Sequence, residues 1–229
     1  SIIESKVDSI LHVVNNQMST YIKSSEISNF NKSSTNFIKP SKEFRYTLDY
    51  AKRLARLTNG MFDITIIPLL ELWGFSESKN DWTPPSEIDI YNLLQNTGND
   101  KWSLTNEFLY KNITNVKIDV NAIAKGYAVD IISHLFKNLG YMNFMVEIGG
   151  EVYCSGFKKD SKEWTIGIEI PDTQTRSISK IVKLINKGIA TSGDYRNFFK
   201  FEDRIYSHII NPQTGHPIDH SLASATVIA

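Results

Sequence analysis

The chain has 229 residues, of which 41% are hydrophobic and 22% are charged, a balance typical of a globular protein with a buried core. Its 25 lysines and arginines equal its 25 aspartates and glutamates, so no overall charge attracts nucleic acid or an anionic lipid surface. A single cysteine, Cys154, excludes an intrachain disulfide and a zinc site built from thiolates.

Helical patterns fill the first part of the chain. Apolar residues spaced three and four apart predict an amphipathic helix over residues 2–18. Residues 19–31 are rich in serine and asparagine, which predicts an irregular segment. A Pro-Ser pair and an Asn-Gly pair predict a helix that begins at residues 40–41 and closes before Gly60. Two shorter helices are predicted, one with Pro68 in its first turn and one over residues 88–95.

Short strands are predicted from Trp102 onward, with one helix among them. That helix covers residues 122–139 and ends at Gly140. The predicted strands are residues 108–110, 116–120, 144–148, 164–170, 178–184, 204–210 and 223–229. Early helices and late strands without regular alternation predict an α+β fold, with helices packed on a mainly antiparallel sheet in one domain over residues 1–229.

The segment over residues 117–130 is the most informative candidate site. A predicted strand delivers Asp119 to a turn that opens a helix whose first residues are small. Small residues let a ligand approach the backbone, and the free N–H groups of a helix start suit a phosphate. Lys125 adds a cation that would neutralise a phosphate oxygen. The same segment equally fits a plain strand, turn and helix in which Asn121 is the N-cap and Asp119 a capping residue.

Two further segments carry weaker signals. Paired glycines at the end of an apolar strand, in residues 147–151, permit either close approach to a ligand or a tight turn. Residues 190–195 offer two hydroxyls, a glycine and a carboxylate, which we interpret as one turn, either in a site or in an ordinary loop.

A histidine within the predicted strand at residues 204–210 is the candidate base. His208 would orient a nucleophile, act as general base or bind phosphate when protonated, or else bond a backbone carbonyl as a structural residue. A metal site formed with His216 and His220 is disfavoured, because Pro217 prevents a helical pair and no acidic motif accompanies them.

Aromatic residues near the start of the chain provide candidate walls for a flat ring. Tyr21 would stack on such a ring, and residues 68–75 would line it or form core. In residues 60–63, Phe62 is placed to pack and Asp63 to hydrogen-bond.

Six blocks in this order resemble the signatures of the FAD:protein FMN transferases, the ApbE family. They include Gly-Met-Phe-Asp over residues 60–63 and Ala-Lys-Gly-Tyr-Ala-Val-Asp over residues 124–130. The six blocks are residues 18–31, residues 60–75, residues 119–130, residues 147–151, residues 190–195 and residues 206–215. The resemblance implies an ApbE-like fold and the roles of individual residues.

The resemblance implies that FAD contacts the residues Tyr21, Met61, Phe62, Asp63, Asp119, Lys125, His208, Ile209 and Ile210. It implies catalytic roles for Lys125 and His208, and a Mg²⁺ ligand in the backbone carbonyl of Ala122. The family's other metal ligands, an Asp and a Thr, would follow Ala229, and a first strand would precede Ser1. We therefore expect the chain to be trimmed at both ends.

The resemblance also implies a reaction and a place in the cell. The FMN part of FAD would pass to a Thr or Ser hydroxyl of an acceptor flavoprotein subunit, with Mg²⁺ as cofactor and release of AMP. Alternatives are an FAD pyrophosphatase giving FMN and AMP, a non-catalytic FAD-binding protein and an unrelated structural domain. The expected location is the outer face of the bacterial cytoplasmic membrane, held only by a lipid anchor outside this chain. No nucleic-acid partner is expected.

Overall fold

Helices and antiparallel strands make up the computed structural model, which describes residues 2–75, 82–170, 177–193 and 198–229. The helices are α1 (Ile2–Met18), α2 (Glu26–Lys32), α3 (Lys42–Leu57), α4 (Ile67–Leu72), α5 (Glu87–Leu94) and α6 (Asn121–Asn138). The strands are β1 (Phe37–Ile38), β2 (Trp102–Leu104), β3 (Leu109–Lys111), β4 (Phe144–Ile148), β5 (Glu151–Ser155), β6 (Trp164–Glu169), β7 (Ile178–Leu184), β8 (Lys187–Gly193), β9 (Phe198–Phe201), β10 (Arg204–Ser207) and β11 (Ser224–Ile228). Every pairing between these strands is antiparallel, and the predicted α+β class is confirmed.

The chain divides into two compact units. The helical unit contains His12–Ala124 and Asn197–Asp219, and the sheet unit contains Ser1–Leu11, Lys125–Arg196 and His220–Ala229. Helix α6 therefore begins in the helical unit and continues in the sheet unit. Among the described residues, we find no helix with the length and apolarity needed to span a membrane.

The helical unit is organised around buried apolar side chains of short helices. Helix α3 buries Phe44, Leu48, Ala51 and Ala55, which recur at the three- and four-residue spacing of one helix face. A second cluster joins α4, α5 and the end of the unit, where Ile210 packs among the buried residues Leu69, Trp73 and Ile90. The small sheet β1-β3-β2 and the pair β9-β10 complete this unit.

The sheet unit is built on four strands in the order β11-β8-β5-β4. Helix α6 packs Val129 and Ile132 against Phe144 and Val146 of β4, and apolar residues of α1 join this cluster. The hairpin β6-β7 covers a second cluster that includes Cys154, which is fully buried.

The predicted irregular segment at residues 19–31 contains helix α2, so that prediction was wrong. Ser25 is the N-cap, because its hydroxyl accepts a hydrogen bond from the Ser28 N–H at 3.1 Å. Ile27 and Phe30, three residues apart, are both completely buried. The polar residues therefore cap and flank a short buried helix.

The predicted strand at residues 116–120 is also wrong, because the segment joins no strand ladder. The Asn31 side chain takes the place of a neighbouring strand. Its Nδ2 donates to the Ile118 carbonyl at 2.9 Å, and its Oδ1 accepts from the Ile118 N–H at 2.8 Å. The next N–H, that of Asp119, donates to the Ile64 carbonyl at 2.7 Å.

We expect Asn31→Ala to lower the free energy of unfolding by about 1–3 kcal/mol, because both polar groups of the buried Ile118 backbone lose their partner. Urea unfolding followed by circular dichroism measures this. Asn29→Ala on the same helix is the control, since its amide contacts the Ser24 carbonyl at an exposed position. Equal losses in the two variants would contradict the role given to Asn31.

The strand predictions in the second half need three corrections. Strands β5, β8 and β9 were not predicted. Ala190 to Gly193 lie in β8 rather than in a turn, while Asp194 and Tyr195 of that predicted turn lie outside the described residues. The strand predicted over residues 204–210 ends at Ser207, so His208 follows the strand instead of lying within it.

Candidate functional site

The Asp119 carboxylate lies at the start of α6, in the helical unit. One oxygen accepts from the Asn121 N–H at 2.7 Å, and the other accepts from the Asn121 side-chain amide at 3.2 Å. The same amide donates to the Thr20 hydroxyl at 3.1 Å. Asp119 thus orders the first turn of α6. Through Asn121, this turn is linked to Thr20, the residue before Tyr21.

Asp63 lies in a second ordered turn of the same unit. Its Oδ1 accepts from the Thr65 N–H at 2.8 Å and from the Thr65 hydroxyl at 2.6 Å. The Thr65 hydroxyl oxygen in turn accepts from the Gly98 N–H at 2.7 Å. The hydrogen bond from Asp119 N–H to the Ile64 carbonyl joins this turn to the start of α6.

These bonds bring three of the predicted blocks together in the helical unit. Tyr21 is 87% exposed and Met61 is 48% exposed, so both present side chains to solvent beside the ordered turns. The Phe62 N–H donates to the Thr58 hydroxyl at 2.9 Å, which fixes the backbone of the turn. An exposed tyrosine ring and two half-buried carboxyls form a surface suited to a flat, polar ligand.

Burial raises the pKa of Asp119 above its ordinary value of 3.8, although the Asn121 hydrogen bonds oppose the shift. The pKa of Asp63 is raised as well, mainly by burial and against the bonds from Thr65. The folded protein therefore binds these protons more tightly than the unfolded chain does. Their contribution to the free energy of unfolding rises as the pH falls through the raised pKa values towards 3.8.

We compare the free energy of unfolding of Asp119→Asn with that of the unchanged protein. The difference is expected to favour the variant more at pH 7 than at pH 4.5. The reason is that asparagine removes the cost of a buried charge, which the unchanged protein relieves by protonation at the lower pH. Urea unfolding at the two pH values measures the difference. Asp100→Asn is the control, since Lys101 lowers the pKa of Asp100 and its contribution is lost only below 3.8. A pH-independent effect of Asp119→Asn would contradict this account.

His208 and its two successors lie directly after β10. The His208 ring stands edge-on to Phe75, with ring centroids 6.3 Å apart. The Ile209 carbonyl accepts from the Ile218 N–H at 2.9 Å. Ile210 is 4% exposed and packs in the core with Leu69, so its side chain is not free to contact a cofactor. The predicted contact at Ile210 is thus restricted to its backbone.

An aromatic cluster surrounds the segment after α4, in the helical unit. Trp73 stacks on Tyr206 with centroids 5.6 Å apart, and Trp82 stacks on Phe199 at 4.7 Å with planes 10° apart. The Trp73 Nε1–H donates to the Gly215 carbonyl at 2.7 Å. Trp73 is 2% exposed, so this part of the predicted aromatic wall is core. The stacking of Trp82 on Phe199 was not predicted, because the short sequences around these residues carry no periodic signal.

Lys125 lies in the sheet unit, where the paired glycines meet it. Its Nζ is 2.9 Å and 2.7 Å from the two carboxylate oxygens of Glu151, and it donates to the Gly149 carbonyl at 3.2 Å. Gly149 and Gly150 form the two-residue turn between β4 and β5 with φ of 58° and 98°, which glycine adopts readily. A side chain at position 149 would also meet the Lys125 stem at 3.2 Å. Glu151 was in a predicted block, but its pairing with Lys125 was not predicted.

The other two histidines of the disfavoured metal site have partners of their own. His216 Nε2 is 3.3 Å from a carboxylate oxygen of Glu87, and His220 Nδ1 accepts from the Leu222 N–H at 3.2 Å. Among the described residues, no group of three or more His, Cys, Asp or Glu side chains could hold a metal ion. Near the predicted ligand Ala122, each oxygen of Asp119 accepts a hydrogen bond from Asn121. The role of Ala122 as a Mg²⁺ ligand stays a prediction, because it concerns a backbone carbonyl and not one of these side chains.

Comparison with known proteins identifies relatives along almost the whole chain. The model of the ApbE family matches residues 2–229. An FAD:protein FMN transferase of Vibrio cholerae serotype O1 is 38% identical over 229 residues, covering 99% of this chain and 68% of the relative. One from Haemophilus influenzae is 39% identical, covering 98% of this chain and 67% of the relative. The chain thus spans about two thirds of the length of these curated relatives.

Solved structures agree with this result. The flavin transferase ApbE from Vibrio cholerae superimposes with a TM-score of 0.89 at 37% identity, covering 100% of this chain and 73% of that structure. The apo form of the Pseudomonas stutzeri flavinyl transferase ApbE gives a TM-score of 0.88 at 37% identity, covering 100% and 71%. The resemblance inferred from six sequence blocks is confirmed, whereas the roles of individual residues stay predictions. This chain belongs to the ApbE family.

Proposed function

We propose that this chain transfers the FMN part of FAD to a Thr or Ser hydroxyl of an acceptor flavoprotein and releases AMP. Its ApbE relatives are named FAD:protein FMN transferases, and they match nearly the full chain at 31–39% identity. Family membership supports an enzyme that acts on a flavin. The acceptor residue and the leaving group are inferred from the resemblance.

One observation in the helical unit carries the proposal. The Asp119 N–H bonds the Ile64 carbonyl, so the turn that holds Asp63 is joined directly to the start of α6. Asn121 adds the link to Thr20, beside the exposed ring of Tyr21. Three segments far apart in sequence, each expected to contact FAD, therefore share one hydrogen-bonded network.

The proposed reaction is a displacement at phosphorus. The acceptor hydroxyl oxygen forms a bond to the FMN-side phosphorus, the bridging P–O bond of the pyrophosphate breaks, and AMP leaves with the bridging oxygen. The hydroxyl proton passes to a base, a role we assign to His208. Because the reacting centre is crowded with negative charge, positioning and cationic neutralisation dominate the catalysis.

Lys125 supplies the positive charge in this scheme. Glu151 and the Gly149 carbonyl hold its ammonium in place, and the lysine side chain remains 46% exposed. A cation oriented before the substrate binds needs little rearrangement during the reaction, which is the condition for effective electrostatic stabilisation. The Asp119 carboxyl, fixed by Asn121, orients part of FAD.

Dependence on Mg²⁺ is proposed from the resemblance alone. When bound, the ion would neutralise pyrophosphate oxygens. The resemblance assigns only the Ala122 carbonyl of this chain to such a site, and the steps given for His208, Lys125 and Asp119 are stated without the metal.

Intact mass measurement tests the proposed transfer. The protein is incubated with FAD, Mg²⁺ and a candidate flavoprotein subunit, and the subunit is expected to gain the mass of one FMN residue. On a denaturing gel, flavin fluorescence is expected to follow the acceptor band. An acceptor whose modified hydroxyl residue is replaced by valine is the control and is expected to gain no mass.

The same incubation distinguishes the other activities. Release of free FMN and AMP without a mass gain on the acceptor would contradict transfer and identify an FAD pyrophosphatase. FAD recovered intact after binding would identify a protein that holds the cofactor without reacting.

We also propose, from the resemblance, that the full-length protein lies at the outer face of the bacterial cytoplasmic membrane through a lipid anchor. Fractionation of cells expressing the full-length protein, with protease added to intact spheroplasts, tests this. Recovery in the membrane fraction with digestion by external protease is expected. Protection from the protease would contradict the proposed location.

A further inference from the structure

A basic cleft lies along α3 in the helical unit, next to the residues that lead into the turn of Asp63. Its volume is about 750 Å³, within the usual range of ligand sites. Three cations, Lys52, Arg53 and Arg56, line it together with a single acid, Asp49. Because the chain as a whole has no net charge, this is a local concentration of positive charge.

The two arginines of the basic cleft are available to a ligand. Both are exposed, and neither forms an ion pair with another residue in the described ranges. They are three positions apart on α3 and therefore lie on the same helix face. Two adjacent guanidinium groups can each bind a carboxylate through paired hydrogen bonds.

Lys52 has a different role from its arginine neighbours. Its ammonium donates to the carbonyls of Asn99 at 2.6 Å and Trp102 at 2.8 Å. It also lies 3.6 Å from the centre of the Trp102 ring. Lys52 thus ties α3 to the Asn99 side of the cleft, and burial lowers its pKa to about 8.

The cleft borders the turn assigned to FAD. Asn59 and Gly60 line its end, and the next residues along the chain are Met61, Phe62 and Asp63. Anything bound against Arg56 is therefore close to the proposed flavin site. The inference that follows rests on the proposed function for this reason.

The surface beside the cleft suits a polypeptide better than a small anion. Tyr46 is 61% exposed, Tyr50 is 44% exposed and Leu57 is 69% exposed, and all three lie on α3 with the arginines. Tyrosine and arginine are enriched at protein interfaces, whereas lysine and glutamate are depleted there. A small metabolite would leave these apolar groups uncovered.

We propose that the basic cleft binds an acidic segment of the acceptor protein and so positions the acceptor hydroxyl near FAD. Carboxylates of that segment pair with Arg53 and Arg56, and its apolar residues cover Tyr50 and Leu57. The cleft thereby contributes to acceptor selection and takes no part in the displacement at phosphorus.

Steady-state kinetics of the Arg53→Glu/Arg56→Glu double variant test this proposal. With an acceptor subunit that the unchanged enzyme modifies, the KM for acceptor is expected to rise at least about 10-fold at low salt. The kcat and the Kd for FAD are expected to stay the same. Lys158→Glu/Lys159→Glu is the matched control, since it makes the same change in net charge at exposed residues outside the cleft.

A labelled peptide of six glutamates provides a test that does not need FMN transfer. Fluorescence anisotropy is expected to show binding to the unchanged protein and to the Lys158/Lys159 control variant, but not to the arginine double variant. A peptide of six glutamines is expected not to bind. If no acceptor is flavinylated, the proposed function fails, while peptide binding still decides whether the cleft takes acidic chains.

Besides failure of the glutamate peptide to bind the unchanged protein, three results would overturn the inference. One is an unchanged KM for acceptor in the arginine variant, and another is an equal rise in the control. The third is a weaker affinity for FAD in the arginine variant, which would make the cleft part of the FAD site.

Discussion

The Lys125→Ala variant is expected to have a kcat/KM for FMN transfer lowered by about 100- to 1,000-fold, the usual effect of removing one oriented group that stabilises transition-state charge. Lys125 is the cation that Glu151 holds at 2.7 Å beside the paired glycines. Alanine removes this charge and leaves the Glu151 carboxylate without it, so the local field changes from neutral to negative. Initial rates of acceptor flavinylation measure the loss.

Two control variants separate charge from geometry. Lys125→Arg keeps a positive charge and is expected to recover part of the rate. Glu151→Gln keeps the lysine but weakens its orientation, and a loss of about 10-fold or less is expected. Titration of FAD by fluorescence shows whether each variant still binds the cofactor. Full activity of Lys125→Ala would remove the role assigned to this side chain.

Gly215→Ala is expected to lower the free energy of unfolding by about 2–5 kcal/mol. Gly215 has a φ of 74°, and a Cβ there would lie 2.6 Å from a methyl carbon of Ile90 and 3.2 Å from Leu94. The substitution therefore combines backbone strain with overpacking of a core that includes Leu69. Urea unfolding followed by tryptophan fluorescence measures the change.

Gly140→Ala is the matched control for this effect. Gly140 also has a positive φ, 86°, but a Cβ at this position would have no atom within 4 Å. The control is expected to cost only the backbone strain, about 1–2 kcal/mol. Equal losses at Gly215 and Gly140 would show that close packing around Gly215 contributes nothing.

Helices with a strong local pattern could be predicted from the sequence. In α3 the buried residues recur every three or four positions, and Gly60 follows with positive φ, so both the buried face and the end are encoded locally. The start of α4, which has Pro68 in its first turn, follows the same logic, since proline fits the first turn of a helix.

Elements that depend on distant partners could not be predicted in this way. The segment around Ile118 has the alternation of a strand, but the groups that satisfy it belong to the side chain of Asn31, 87 positions earlier in the chain. Helix α2 was not predicted from the sequence, because its capping serine and its buried Ile27 and Phe30 lie among polar residues. Short elements have too few residues for a periodic signal to stand out.

In the candidate site, too, some features could be predicted from local sequence and others depend on distant partners. The order of the six blocks identified the family, and the turns at Asp63 and Asp119 are joined by a hydrogen bond. The pairing of Lys125 with Glu151 depends on how the β4–β5 turn approaches α6, which no local pattern encodes. The basic cleft was not predicted from the sequence, because its arginines have the pattern of ordinary solvent-exposed charges on a helix.

The hydrogen bond between Trp73 and Gly215 joins residues 142 positions apart. During translation at roughly 5–20 residues per second, Trp73 is synthesised about 7–30 seconds before Gly215. For that time Trp73, Leu69 and Ile90 lack the segment that carries Ile210, which completes their cluster. Nascent chains are therefore most prone to aggregate in this interval, and chaperones that shield apolar surface are expected to act there.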